Sequence, residues 1–394
     1  AHIHREPADL PVTLLAEDLN VGLPIVYWTT SDDVAPSRSS RNFKGDFPAS
    51  PVLVDATHLY YPRNTEYEIF NTAKKSHTLG ALVAVNHRSI FDLTALPLRR
   101  VAARAHAEGA LLDLEKHNWE WSMAIVPIVK PDLYELANNH LWRTEFTYTN
   151  WAVPAPAYMN VGHGRGTEQQ WASYGFQNYY ALLNCGFRLR PSAGTANGVH
   201  PVPLGFGRVY VQMDGPFTYD AWIKGLNAGR SFVTTGPMLL ATFNGAPPGH
   251  QSQRRPGVSM VRVEGTVLSE QPVKEIELLV NGEVARTVAL RSTRGPAGGF
   301  VARLDVRVRT EGTSWVAARC WEERAGGRVR FAHTAPVFFD VKDDPPRPRR
   351  AEIEFLIERV RSEIARSGPL LPPEALAEYQ EALGVYEQLA RRAR

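Results

Sequence analysis

Two cysteines in 394 residues, Cys185 and Cys320, lie too far apart in the chain for a disulfide framework or a thiolate metal site. Any metal would therefore fall to histidine and carboxylate. No apolar run is long enough to cross a membrane, and neither a GxGxxG nor a Walker sequence occurs, which argues against a nucleotide site. Charge of one sign is missing as well. Forty-four Lys and Arg face 41 Asp and Glu, a net of +3 spread along the chain, so nucleic acid is not an expected partner. The chain carries no signal peptide and no initiator Met. It opens in what reads as mid-strand, which is expected of a processed or truncated product and leaves the compartment open.

Histidine is present, and unevenly so. Ten of the twelve fall at or before position 200, several of them just past an apolar run. The chain opens with His2-Ile3-His4, and residues two apart on a strand share a face. Two neutral imidazoles on one face can begin a transition-metal site.

The first 200 residues alternate strands with helices. An amphipathic helix marked by Leu10, Leu14, Leu15, Leu19 and Val21 and closing near Gly22 precedes a strand from Pro24 to Thr29, and short strands follow at Val52–Val54, Leu59–Tyr61 and Tyr67–Phe70. Leu79–Val85 ends in Asn86-His87. A helix over 97–109, with Leu98, Val101, Ala102 and Ala105 on one face and Gly109 as its stop, leads to a strand at Ala110–Leu114. That strand runs into Glu115-Lys116-His117-Asn118-Trp119. Leu133–Ala137 ends in Asn138-Asn139-His140. A helix from Gln169 to Asn184 precedes a strand at Phe187–Pro191, which runs towards His200. Strands that each end in a polar, His-bearing loop suit a β/α barrel with its site at the carboxyl ends, or an open doubly wound sheet.

From about Thr235 the period becomes two. The Asn281-Gly282 hairpin signal and alternating runs predict a small antiparallel β-sandwich over 237–342, whose role reads as structural. A proline-rich linker from Asp343 leads to a C-terminal helical pair expected to pack on the body or on a partner subunit, which keeps a homo-oligomer open.

The motifs His2-x-His4-Arg5, Asn64-Thr65-Glu66, Glu115-Lys116-His117-Asn118-Trp119, Tyr134-Glu135-Leu136-Ala137-Asn138-Asn139-His140, Gly194-Thr195-Ala196-Asn197-Gly198-Val199-His200 and Gly229-Arg230-Ser231-Phe232-Val233-Thr234-Thr235-Gly236-Pro237 resemble PHP-superfamily metallohydrolases of the CehA/McbA type. The resemblance covers roughly residues 1 to 250. It implies an α/β fold, a distorted (β/α)7 PHP-type barrel over 1–236, and a centre of His and carboxylate for divalent metal. Members hydrolyse phosphoesters, and the named subgroup includes enzymes that cleave the aryl carbamate carbaryl.

Carried over by position, His2 and His4 are the first ligand pair, Glu66 a carboxylate ligand and His117 a later one, with His77 and Glu115 further candidates. Trp28-Thr29-Thr30 stands where such proteins have Asp-His, and Gly194-Thr195-Ala196 where they have an Asp-bearing turn. One ion or two is then the expectation, zinc suiting the imidazoles best and manganese or iron being alternatives. His87, His140 and His200 are candidates for proton transfer, and Asp18 for orienting a ligand. His58, His106, His163, His250 and His333 read as ordinary loop, surface or packing histidines.

The expected activity is metal-dependent hydrolysis of an ester, amide or carbamate by metal-activated water. Trp28, Trp119, Trp121, Trp142, Trp151 and Trp171 would suit a small aromatic or apolar substrate. The alternatives are a phosphoesterase recruiting Lys116, Arg143 and Arg165, and a non-catalytic barrel that binds a saccharide.

Overall fold

The computed structural model describes residues 2–117, 119–142, 153–161 and 166–394, with Glu120 described by its backbone alone. In chain order the first part gives β1 (His2–Ile3), α1 (Leu10–Ala16), β2 (Val21–Pro24), β3 (Tyr27–Ser31), β4 (Val52–Leu53), β5 (Leu59–Tyr60), β6 (Thr65–Thr72), β7 (Lys75–Ser76), β8 (Ala81–Val85), α2 (Leu98–Glu108), β9 (Leu111–Leu114), α3 (Glu120–Val129), β10 (Leu133–Ala137), α4 (Glu168–Asn184) and β11 (Arg190–Ala193). These strands form two sheets. One has the order β1-β2-β5-β4, and the other β11-β10-β9-β8-β6-β3 with β7 folded back on β6.

The expected (β/α)7 barrel is not formed. Among the described residues no sheet closes on itself, and β8 runs antiparallel to both neighbours, pairing Thr65 with Ala84 and Val83 with Asp113. The reason lies in a connection. Parallel strands need a crossover of a dozen or more residues, and the stretch from Thr72 to Ala81 is too short for one, so the chain turns through the β7 hairpin and comes back reversed. The two sheets meet at one place that matters for the site. Ile3 bridges Asn197, the His4 amide donates to Asn197 O at 2.7 Å, and the Thr195 and Ala196 amides donate to His2 O. β1 is thereby held against the end of β11.

The rest of the chain gives β12 (Arg208–Val211), α5 (Tyr219–Asn227), β13 (Ser231–Thr234), β14 (Met238–Phe243), β15 (Gln251–Arg254), β16 (Val258–Ser269), β17 (Glu275–Val280), β18 (Glu283–Ala289), β19 (Thr293–Arg294), β20 (Phe300–Glu311), β21 (Ser314–Arg324), β22 (Arg328–Thr334), β23 (Val337–Val341), α6 (Arg350–Ser367) and α7 (Pro373–Ala390). An eight-stranded sheet, β12-β13-β22-β21-β17-β18 with β15 and β23 attached, faces a four-stranded sheet, β14-β16-β20-β19. Alternate residues such as Val261, Val263, Ile276, Leu278, Val316 and Ala318 bury between them. Asn281 and Gly282, both at positive φ, make the β17–β18 turn. β12 and β13 precede the change of period seen in the sequence, yet already belong to this body.

The C-terminal helices lie on the first part of the chain. Glu378 accepts from the Leu98 and Arg99 amides at the start of α2, and Tyr386 donates to Met123 O of α3. Arg359 of α6 is buried and donates to His117 O at 3.0 Å and to Trp119 O, pinning the loop that carries Glu115 and Lys116. Replacing Arg359 with Met strands the buried His117 carbonyl and the half-buried Trp119 carbonyl, and stability in chemical denaturation is expected to fall by about 2 kcal/mol. None of the described helices is long and apolar enough to cross a membrane.

Candidate metal centre

Strand period places the donors. On β6, Tyr67 and Ile69 enter the main hydrophobic core, which turns Glu66 and Glu68 to the opposite face. Glu66 pairs in register with Val83, Val83 with Asp113 and Asp113 with Leu133, so Glu115 and Glu135, two residues further along, share that face. One end of it is apolar, closed by Leu23, Val85, Leu111, Leu133 and by Trp222 and Leu226 of α5. The other end is ionic. His2, His4, Glu66, Glu115 and Glu135 are all buried there, beside a small cavity of about 20 Å³ that His2, Asp113, Glu115 and Glu135 line on one side and mostly apolar residues such as Leu23, Val83 and Trp222 line on the other, room for roughly one water-sized species.

The donor atoms converge at short range. His4 Nε2 lies 2.9 Å from Glu66 Oε2 and 2.9 Å from His2 Nε2. His2 Nδ1 lies 3.0 Å from Glu115 Oε2 and 3.4 Å from Glu135 Oε1. Yet His2 Nδ1, both oxygens of Glu66, both of Glu115 and Oε2 of Glu135 have no aligned hydrogen-bond partner. Buried polar atoms are normally paired, so a cluster of orphans aimed at common points is what a cation would satisfy. Two such groups could hold a metal ion, His2-His4-Glu66 and His2-Glu115-Glu135.

Charge supports the same reading. Burial and the neighbouring Glu66 carboxylate push Glu115 up, and burial with Glu135 does the same to Asp113. Burial would lower His2, but Glu115 and Glu66 outweigh it and hold it up; burial would raise Glu66, but His2, Lys116 and His4 outweigh it and hold it down. The carboxylates outnumber the cations that face them.

Of the six residues expected to ligate metal, the structure brings together His2, His4, Glu66 and Glu115. His77 is elsewhere, its Nε2 2.8 Å from Ser367 Oγ of α6. His117 belongs to neither group. Its ring packs 5.0 Å from Trp171 and 5.4 Å from Tyr174 against Gly175, with Asn138 Nδ2 donating to Nδ1 at 3.3 Å, and burial drives its pKa down. Glu135 joins the centre although its position was read only as part of a motif. Its place on β10 matches that of Glu115 at the end of β9, and this was the signal available in the sequence.

The proton-transfer candidates separate in the same way. His87 is buried with Nε2 at 2.8 Å from Thr65 Oγ1 and Nδ1 at 2.7 Å from Ser89 O, and burial pushes it down to about 4. It is a neutral strut for the loop after β8. His140 stacks 5.3 Å from Trp171, and burial, with the charges of Lys116 and His200, pushes it down to about 3. Asp18 is exposed and stands 3.4 Å from His58, away from the cluster. Asn118, Arg143, Trp151, His163 and Arg165 lie outside the described residues.

The loop after β8 supplies a pH test of the frame. Burial tends to raise Glu108, but hydrogen bonds from the Ser89 hydroxyl and the Ser89 and Arg88 amides, with Arg104, hold it at about 2. Its unfolded value is about 4.3. The stability it contributes is therefore complete above that value and lost as pH falls towards 2. Glu108→Gln is expected to be less stable than the parent at pH 7, with the gap closing by about pH 2 in denaturation curves.

No protein-family model matches the chain, and no curated protein is significantly similar to it.

Proposed function

We propose that the chain is a metal-dependent hydrolase acting on an ester, amide or carbamate bond. The carrying observation is the set of buried, hydrogen-bond-orphaned atoms on His2, Glu66, Glu115 and Glu135, with His4 completing one of the two groups that could hold a metal ion. The resemblance of the His2-x-His4 and Glu66 segments to PHP-type metallohydrolases points the same way. Mixed imidazole and carboxylate ligation suits zinc, with manganese and iron next. A divalent ion there supplies Lewis acidity and lowers the pKa of water.

The chain's own residues do the rest. His2 and His4 present nitrogen lone pairs from one strand, and the Ile3 to Asn197 bridge holds that strand in place. Trp28 packs 4.6 Å from the His4 ring and fixes its orientation. Lys116 offsets surplus carboxylate charge. Because this lysine is committed to three carboxylates, it is a poor phosphate receptor, which favours a carbonyl substrate over a phosphoester.

The test is elemental analysis of protein purified without added metal, followed by a turnover screen of aryl ester, aryl carbamate and aryl phosphate after reconstitution. Bound metal with carbonyl-substrate turnover supports the proposal. Failure to hold any metal after reconstitution overturns it and leaves a ligand-binding module in its place.

A further inference from the structure

The two donor groups share one ring. His2 turns Nε2 towards His4 and Glu66, and Nδ1 towards Glu115 and Glu135. A neutral imidazole has a single nitrogen lone pair to give, since the other nitrogen keeps its proton. Both groups cannot be filled at once without making that ring an anion.

A cation already stands among the carboxylates that remain. Lys116 is buried, and its Nζ donates to Glu68 Oε1 at 2.6 Å while standing 3.1 Å from Glu115 Oε2 and 3.6 Å from Glu66 Oε1. Three carboxylates from two strands thus surround one ammonium, as they would surround a divalent ion. The backbone at Lys116 is left-handed, with φ at 54°, a conformation uncommon outside glycine that persists only where the surroundings enforce it. Here they do: the Ser122 hydroxyl donates to Lys116 O at 2.8 Å, the Trp119 amide to the same oxygen at 3.0 Å, and the Trp119 ring lies 5.0 Å from Nζ.

We infer that Lys116 is a built-in cation standing where a second metal ion would bind, so that the centre holds one ion at a time beside a fixed ammonium. Removing the lysine exposes an all-oxygen position at Glu66, Glu68 and Glu115, suited to a hard divalent cation such as Mn²⁺. This rests on the metal-centre reading above.

The experiment counts Mn²⁺ in the full chain by equilibrium dialysis and reads ion–ion coupling by electron paramagnetic resonance. The parent and Lys116→Arg are expected to bind about one equivalent with the spectrum of an isolated ion, and Lys116→Ala about two with exchange coupling between them. Two coupled ions in the parent overturn the inference even if the alanine variant does not fold, and so does a folded Lys116→Ala that still binds one. A parent that binds none overturns the metal-centre reading itself, and the inference with it, a result distinct from either of the others.

Discussion

The His2→Ala/His4→Ala double variant is expected to lose its metal, with ion affinity falling by more than about 100-fold, since removing even an outer-sphere partner of a ligand typically costs 10- to 100-fold. The two rings provide every imidazole nitrogen in the two donor groups. Without them Glu66, Glu115 and Glu135 remain as a purely carboxylate set, whose mutual repulsion Lys116 alone must offset. A readout independent of catalysis is available. An ion that binds only the folded chain stabilises it by about 2.7 kcal/mol at a hundred times its dissociation constant. The melting temperature of the parent should therefore rise with added zinc or manganese, while that of the double variant should not move. Equal shifts in both proteins would place the ion somewhere other than this cluster.

Gly194→Ala is expected to damage the metal centre directly. A Cβ at that position would collide with Glu135 Oε1 and stand 2.5 Å from His2 Cβ. Gly194 follows β11 directly, and its amide donates to Ala137 O at 2.8 Å, so the backbone has little room to retreat. The methyl must push β1 away from β10 or turn the Glu135 carboxylate out of the centre. Overpacking of this kind costs about 1–3 kcal/mol, and displacing a ligand by even an ångström spoils a metal site. The expected result is a folded protein with a lower melting temperature and metal affinity reduced by at least about tenfold. Binding equal to the parent's, measured by competition with a chromophoric chelator, would mean that Glu135 is not a ligand.

Much of the first part of the chain could be read in advance. The apolar stripe of Leu98, Val101, Ala102 and Ala105 and the stop at Gly109 mark α2 because helix periodicity and a left-handed C-terminal glycine are local properties. The His2-x-His4 pair was legible because strand alternation puts such residues on one face, whereas Glu66 and Glu115 were candidates only through the resemblance carried over by position. Their convergence was not legible. His117 follows Glu115 by two residues and fits the same alternation, yet the turn at Lys116, with its positive φ, carries the ring to α4 instead. His77 was a further ligand candidate, but the partner it meets, Ser367, is supplied by the far end of the chain. α3 was also missed; Trp121, Ala124, Ile125 and Val129 are buried on a helix with Pro127 inside it and no polar stripe to reveal the period.

Sequence alone therefore settled what depends on neighbours along the chain: where α2 and α4 run, and that the later part of the chain alternates with period two. Tertiary structure alone decided the rest. The reversal of β8 follows from a connection too short to cross over, and the sheets that result do not close into the expected barrel. The composition of the centre follows from Ile3 meeting Asn197 and from cross-strand register, which bring His2 to Glu115 and Glu135 from segments more than a hundred residues away. Such pairings are fixed by the burial of whole sheets against α2, α3, α4, α6 and α7, a balance of many weak contacts that no local stretch of residues encodes.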